Sequence, residues 1–135
     1  MLTADHQAGR LVEARGEGLI TYPEFVAFRS SFMEKLARAG VRGPVIAVGD
    51  LRKVERITDD AQPAVLGLLR SDNARVERSA HLLTARTPFA QLYADLIEKT
   101  HNASRRAFTD PWALIDYLAP VLTPAEMQRL EAMLR

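Results

Sequence analysis

Cysteine is absent from this chain of 135 residues. No disulfide framework, thiolate nucleophile or cysteine-ligated zinc site is therefore open to it. Long apolar stretches are missing too. The longest uninterrupted run is four residues, far short of the roughly 20 that cross a bilayer. The first ten residues include Asp5, His6 and Gln7 and have no apolar core, so they do not read as a secretory signal; a cytoplasmic protein is expected. Neither sign of charge is in excess, with 18 basic against 17 acidic side chains and a net of +1. Opposite signs interleave, as in Arg52-Lys53-Val54-Glu55-Arg56. Nucleic-acid binders show a basic excess or stripe, so neither nucleic acid nor an anionic membrane is the expected partner. There is no P-loop pattern, and Gly16-Glu17-Gly18 lacks the third glycine of a dinucleotide fingerprint. No cofactor or metal is expected.

What remains is an ordinary globular balance, 47% hydrophobic and 26% charged, at the length of one domain. Strand-like runs alternate with helical ones. Leu11-Val12-Glu13-Ala14-Arg15 has β character. Val45-Ile46-Ala47-Val48 is apolar throughout, as a strand covered on both faces would be. Ser79-Ala80-His81-Leu82-Leu83 and the shorter Arg105-Arg106-Ala107-Phe108 follow, and residues 1–5 offer an edge strand that turns back through residues 5–9.

The helices announce themselves by their caps. Thr21-Tyr22-Pro23-Glu24 is a capping box, with Phe25, Phe28, Phe32 and Leu36 on one face and Gly40 as a stop. A second helix is expected from Asp59 or Asp60, with Val65, Leu66, Leu68 and Leu69 inward. A third starts at Thr87-Pro88 and lines up Phe89, Leu92, Tyr93, Leu96 and Ile97. A fourth starts at Asp110-Pro111 and ends at Pro120; a fifth opens on the capping box Thr123-Pro124-Ala125-Glu126. This order predicts a single α/β domain over residues 1–120, with a mainly parallel four- to five-stranded sheet and βαβ crossovers. Residues 121–135 form an extra amphipathic C-terminal helix. Its Met127, Leu130 and Leu134 must cover an exposed side of the sheet or pair with a second subunit, which would make a homodimer.

In open α/β sheets, function gathers at the carboxyl ends of the strands. The longest polar segment there is 50–60, read as a loop, with Asp50, Arg52, Lys53, Arg56, Thr58, Asp59 and Asp60 as an interaction surface. Each also has a local reading. Asp50 suits a loop cap, Asp59 and Asp60 suit a helix N-cap, and the basic trio suits a solvated face. His81 reads as a structural histidine, with no nucleophile implied beside it, and Trp112 and Tyr117 read as core.

These elements resemble the STAS domain of the bacterial anti-sigma-factor antagonists, and in particular their divergent SpoIIAA-like relatives. The resemblance runs from about Arg10 to Leu118. It rests on Val45-Ile46-Ala47-Val48-Gly49-Asp50-Leu51, on the helix that follows, and on Ala107-Phe108-Thr109-Asp110-Pro111-Trp112-Ala113-Leu114. It implies a non-enzymatic regulatory module whose protein partner is a kinase- or phosphatase-type regulator. The family's phosphorylated Ser or Thr at the start of the second helix falls on Asp59, within Thr58-Asp59-Asp60-Ala61, and Ala61 replaces a glycine. That departure implies a branch without an intact phospho-switch.

The leading expectation is thus a regulatory protein–protein interaction module with no catalytic residues. The alternative is a small-ligand or lipid-binding carrier or sensor on the same fold, its pocket lined by Phe25, Phe28, Phe32 and Tyr93. A phosphorelay receiver is disfavoured, because Glu17 stands alone after the first run and no Lys follows residues 105–108.

Overall fold

The computed structural model describes residues 1–71 and 74–135. The elements follow in the order β1 (Leu2–Ala8), β2 (Leu11–Ile20), α1 (Tyr22–Ala39), β3 (Val45–Ile57), α2 (Gln62–Ser71), β4 (Val76–Leu82), α3 (Pro88–Glu98), β5 (Arg105–Phe108), α4 (Pro111–Leu118) and α5 (Pro124–Leu134), with a 3₁₀ turn at Ala119–Val121. The strands form one five-stranded sheet in sequence order, β1-β2-β3-β4-β5. β1 pairs antiparallel with β2, and every other pair is parallel.

Caps fix the helix starts where the sequence places them. Thr21 Oγ1 accepts the Glu24 N–H at 3.3 Å, while the Glu24 carboxylate accepts the Thr21 N–H at 3.2 Å. The same reciprocal pair joins Thr123 and Glu126, and Thr87 and Asp110 cap α3 and α4. Gly40 ends α1 in the left-handed region at φ 62°, where a Cβ would be strained.

Two expectations about element bounds change. The helix expected from Asp60 begins at Gln62. The Asp60 carboxylate is taken by Thr58 Oγ1 at 2.6 Å, and the Ala61 N–H closes a turn on the Thr58 carbonyl at 3.0 Å, so neither Asp59 nor Asp60 is its N-cap. The segment expected as a loop over 50–60 is mostly strand, because β3 runs on to Ile57. Its buried residues there, Leu51, Val54 and Ile57, lie three apart, which hides the strand period in the sequence. The cause is a doubled bulge. Arg15 to Glu17 on β2 faces Asp50 to Lys53 on β3, and Gly18 to Leu19 faces Val54 to Arg56, so β3 carries one extra residue at each step. Each insertion turns a spacing of two into three.

Because the parallel strands advance in one direction, like-handed crossovers carry α1, α2 and α3 to one face of the sheet. One core unites Phe25 and Phe28, Val65, Leu68 and Leu69, and Phe89, Tyr93 and Leu96 over Leu51, Val54 and Ile57. The chain then crosses over after β5, and α4 and α5 cover the other face. Leu114, Leu118, Leu130, Met133 and Leu134 pack there on Leu11, Ile46, Val48, Ala80 and Leu82. Leu130 and Leu134 of α5 thus find cover within the chain, joined by Met133, while Met127 stays half-buried outside this cluster. Trp112, expected in the core, is 71% exposed, since α4 turns Leu114 and Leu118 inward instead. Tyr117 is half-buried against Phe108 and bonds the Ser104 carbonyl at 2.8 Å.

Candidate functional site: a cavity beneath the first three helices

Strand alternation decides what meets under α1–α3. Ala47 and Gly49 of β3, Ser79 and His81 of β4, and Arg105 of β5 face those helices. The register sets Gly49 beside His81, Ala47 beside Ser79, and Ser79 beside Arg105. Two of these residues are too small to fill the space between sheet and helices. A Cβ on Gly49 would already lie 3.4 Å from His81 Nδ1. The result is a cavity of about 100 Å³ beneath the helices, bordered by Phe25, Phe28 and Phe32 of α1, Tyr93 of α3 and the β3 and β4 residues just named. An apolar cavity of about 150 Å³ admits benzene or xenon, and pockets for drug-sized ligands run to roughly 300–1,000 Å³. This one suits a compact molecule and is too small for a lipid chain.

Four polar residues stand along one side of the cavity, whose facing surface is otherwise almost entirely hydrocarbon. His81 Nε2 lies 2.7 Å from Ser79 Oγ, and His81 Nδ1 lies 3.2 Å from Tyr93 Oη. Arg105 donates from Nη1 to Ser79 Oγ at 3.1 Å and from Nη2 to the Leu69 carbonyl at 2.9 Å. All four residues are buried. Burial, helped by the Arg105 charge, pushes the His81 pKa down to about 3, so the imidazole is neutral. Burial likewise pushes the Tyr93 phenol up. A histidine so weakly basic is poorly matched to general-base work near neutrality. The expectation that nothing nucleophilic stands beside His81 is corrected: Ser79, two residues away on the same strand, shares its face. That signal was present in the sequence; the approach of Arg105 and Tyr93 was not.

The seven residues of 50–60 expected to form an interaction surface do not converge on one point. Asp50 and Arg52 turn toward α5. Arg52 donates to Asp50 at 2.9 and 2.8 Å and to the Leu134 carbonyl at 3.2 Å, and Arg15 lies 3.9 Å from the Asp50 carboxylate. Burial pushes the Asp50 carboxyl up, but the Arg52 bonds and the two guanidinium charges outweigh it and hold it below the usual carboxylate range. Lys53, Arg56, Asp59 and Asp60 are exposed, and Thr58 is half-buried. Arg56 and Asp59, with Glu55, Gln62, Pro88 and Leu92, border a surface hollow between the end of β3 and the start of α3. Among the described residues, no cluster of His, Asp or Glu could hold a metal ion, and no helix is long and apolar enough to cross a membrane.

No protein-family model matches the sequence, and no curated protein matches it. Solved structures do. An uncharacterized protein from the DUF3478 family with a SpoIIAA-like fold, from Shewanella loihica PV-4, superposes with a TM-score of 0.65 at 14% identity, over 87% of this chain and 93% of that one. The chain has a SpoIIAA-like fold. At that identity the likeness concerns architecture alone: a mainly parallel sheet with interleaved helices and an added C-terminal helix. Within the SpoIIAA-like frame, the turn at Thr58–Ala61 precedes α2, and the cavity lies beneath α1–α3.

Proposed function

We propose that this protein is a non-enzymatic binding module that holds a small, mainly apolar molecule between its sheet and α1–α3. One observation carries the reading. Five aromatic rings from two helices, Phe25, Phe28 and Phe32 of α1 and Phe89 and Tyr93 of α3, border one cavity, and alanine and glycine on the strand beneath keep it open. Cores normally close such gaps, since empty volume costs about 24 cal/mol per Å³. Here a polar group set borders an otherwise apolar chamber, the usual make-up of a ligand site. The test is xenon or a five-membered hydrocarbon ring added to the protein with methyl groups labelled for NMR. Shifts are expected at the methyls of Val54, Leu68 and Leu69, and Gly49→Val, which fills the chamber, should abolish them. Unmoved methyls in the native protein would defeat the reading.

A regulatory protein-interaction role has its own support in the exposed charges of Lys53, Glu55, Arg56, Asp59 and Asp60 around the hollow beside Pro88 and Leu92. A partner bound by the native chain and lost on Asp59→Lys would favour it. Unchanged binding by that variant would remove this surface from consideration.

A further inference from the structure

The row of polar residues along the cavity has a direction. Arg105 can only donate, so Ser79 Oγ accepts from Nη1 at 3.1 Å. The neutral His81 donates from one ring nitrogen and accepts at the other, which leaves two arrangements. With hydrogen on Nε2, Ser79 receives two donors, and its own hydroxyl hydrogen has no acceptor among the described residues. With hydrogen on Nδ1, Ser79 donates to Nε2, His81 donates to Tyr93 Oη, and the hydrogen left over belongs to Tyr93 at the cavity wall.

Distance favours the second arrangement. Hydroxyl donors centre on about 2.7–2.8 Å and rarely exceed about 3.0 Å, whereas N–H donors centre on about 2.9–3.0 Å and extend to about 3.2 Å. The Ser79–His81 contact, at 2.7 Å, has the length of a hydroxyl donor, and the His81–Tyr93 contact, at 3.2 Å, that of a ring N–H. The Arg105 charge acts in the same sense, because hydrogens along the chain are favoured when they point away from a cation, and successive bonds polarise one another.

We propose that Tyr93 is the recognition donor of the cavity, its O–H held free by the Arg105–Ser79–His81 chain for a hydrogen-bond acceptor on an otherwise apolar, uncharged ligand. The inference rests on the cavity-binding reading and gives the ligand its chemical class. It is a compact alkyl or ring molecule with one carbonyl, ether or nitrile. A carboxylate would have to shed its hydration in a chamber lined mainly by hydrocarbon, at high cost.

Two measurements test it. Long-range proton–nitrogen NMR at neutral pH is expected to show His81 protonated at Nδ1 and bare at Nε2; the opposite tautomer overturns the proposal, whatever the cavity binds. Binding is then compared for cyclopentanone and for methylenecyclopentane, which has the same shape without the acceptor. Tyr93→Phe should weaken cyclopentanone about fivefold and methylenecyclopentane less than about twofold. Equal changes would overturn the role of Tyr93 and leave the cavity reading standing. If neither molecule binds the native protein, both fall. Should Tyr93→Phe fail to fold, the tautomer in the native chain still decides.

Discussion

The guanidinium of Arg129, on α5, donates two hydrogen bonds of 2.7 and 2.8 Å to the carboxylate of Glu13 in β2. The Glu13 side chain is only 1% exposed, so a charge buried on the sheet face is matched by the helix that covers it. Around this pair, Glu126 accepts the Arg10 N–H at 2.6 Å, and Arg15 and Arg52 donate to the carbonyls of Met133 and Leu134. The last helix is thus fastened by polar bonds as well as by apolar contact.

Removing one partner should therefore cost far more than removing both. Arg129→Met strands a buried carboxylate and is expected to destabilise the fold by about 3 kcal/mol. Adding Glu13→Leu should recover most of that loss. Urea unfolding of the single and double variants checks this; a double variant no more stable than Arg129→Met would show that the pair is not the cause.

A chain ending at residue 121 should lose cooperative unfolding. It lacks Leu130, Met133 and Leu134 and leaves Leu11, Ile46 and Val48 facing water. Exposed apolar surface of that kind costs about 25 cal/mol per Å². Calorimetry on the shortened chain decides: a sharp transition near that of the full chain would mean that α5 is dispensable.

Acid should weaken the fold through His81 before it reaches the carboxylates. The folded value is about 3 and the unfolded one 6.5, so between them the unfolded chain binds the extra proton. Stability contributed by the neutral ring is complete above about pH 6.5 and falls with pH, by about 1.4 kcal/mol per unit at the steepest. Asp50 and Glu126, both held below the usual carboxylate range, surrender their contributions only at lower pH still. Burial pushes each of them up, but hydrogen bonds from Arg52 to Asp50, and from Thr123 and Arg10 to Glu126, prevail. Denaturant unfolding from pH 4 to 7 should show the slope, and His81→Gln should flatten it. An equal slope in that variant would assign the effect elsewhere.

Gly9→Ala is expected to destabilise the first hairpin. Gly9 has φ 48°, and an added Cβ would fall 2.3 Å from Glu126 Oε2, the atom that holds the Arg10 N–H. Left-handed backbone alone costs a non-glycine residue about 1–2 kcal/mol, and displacing Glu126 adds to it. A thermal midpoint within error of the native value would refute this.

The capping boxes at Thr21 and Thr123 and the Pro-led starts at Thr87 and Asp110 were legible because a cap is satisfied within three residues of chain. The continuation of β3 was not legible. Two bulges, set by pairing with β2, broke the alternation that marks a strand. Phe25, Phe28, Phe32 and Tyr93 could be named from helical spacing alone, but nothing in that spacing says that they border an open chamber.

The sequence by itself determined the helix boundaries at four caps, the order of strands and helices, and the pairing of Ser79 with His81 on one strand face, since each depends on neighbours a few residues apart. Tertiary structure alone decided that Gly49 would lie beside His81, that Arg105 and Tyr93 would reach the same cluster, and that α5 would bury its apolar side on β2 and β3. Those outcomes depend on strand register and on which face each crossover covers, and both are fixed only when distant segments compete to exclude water from one sheet.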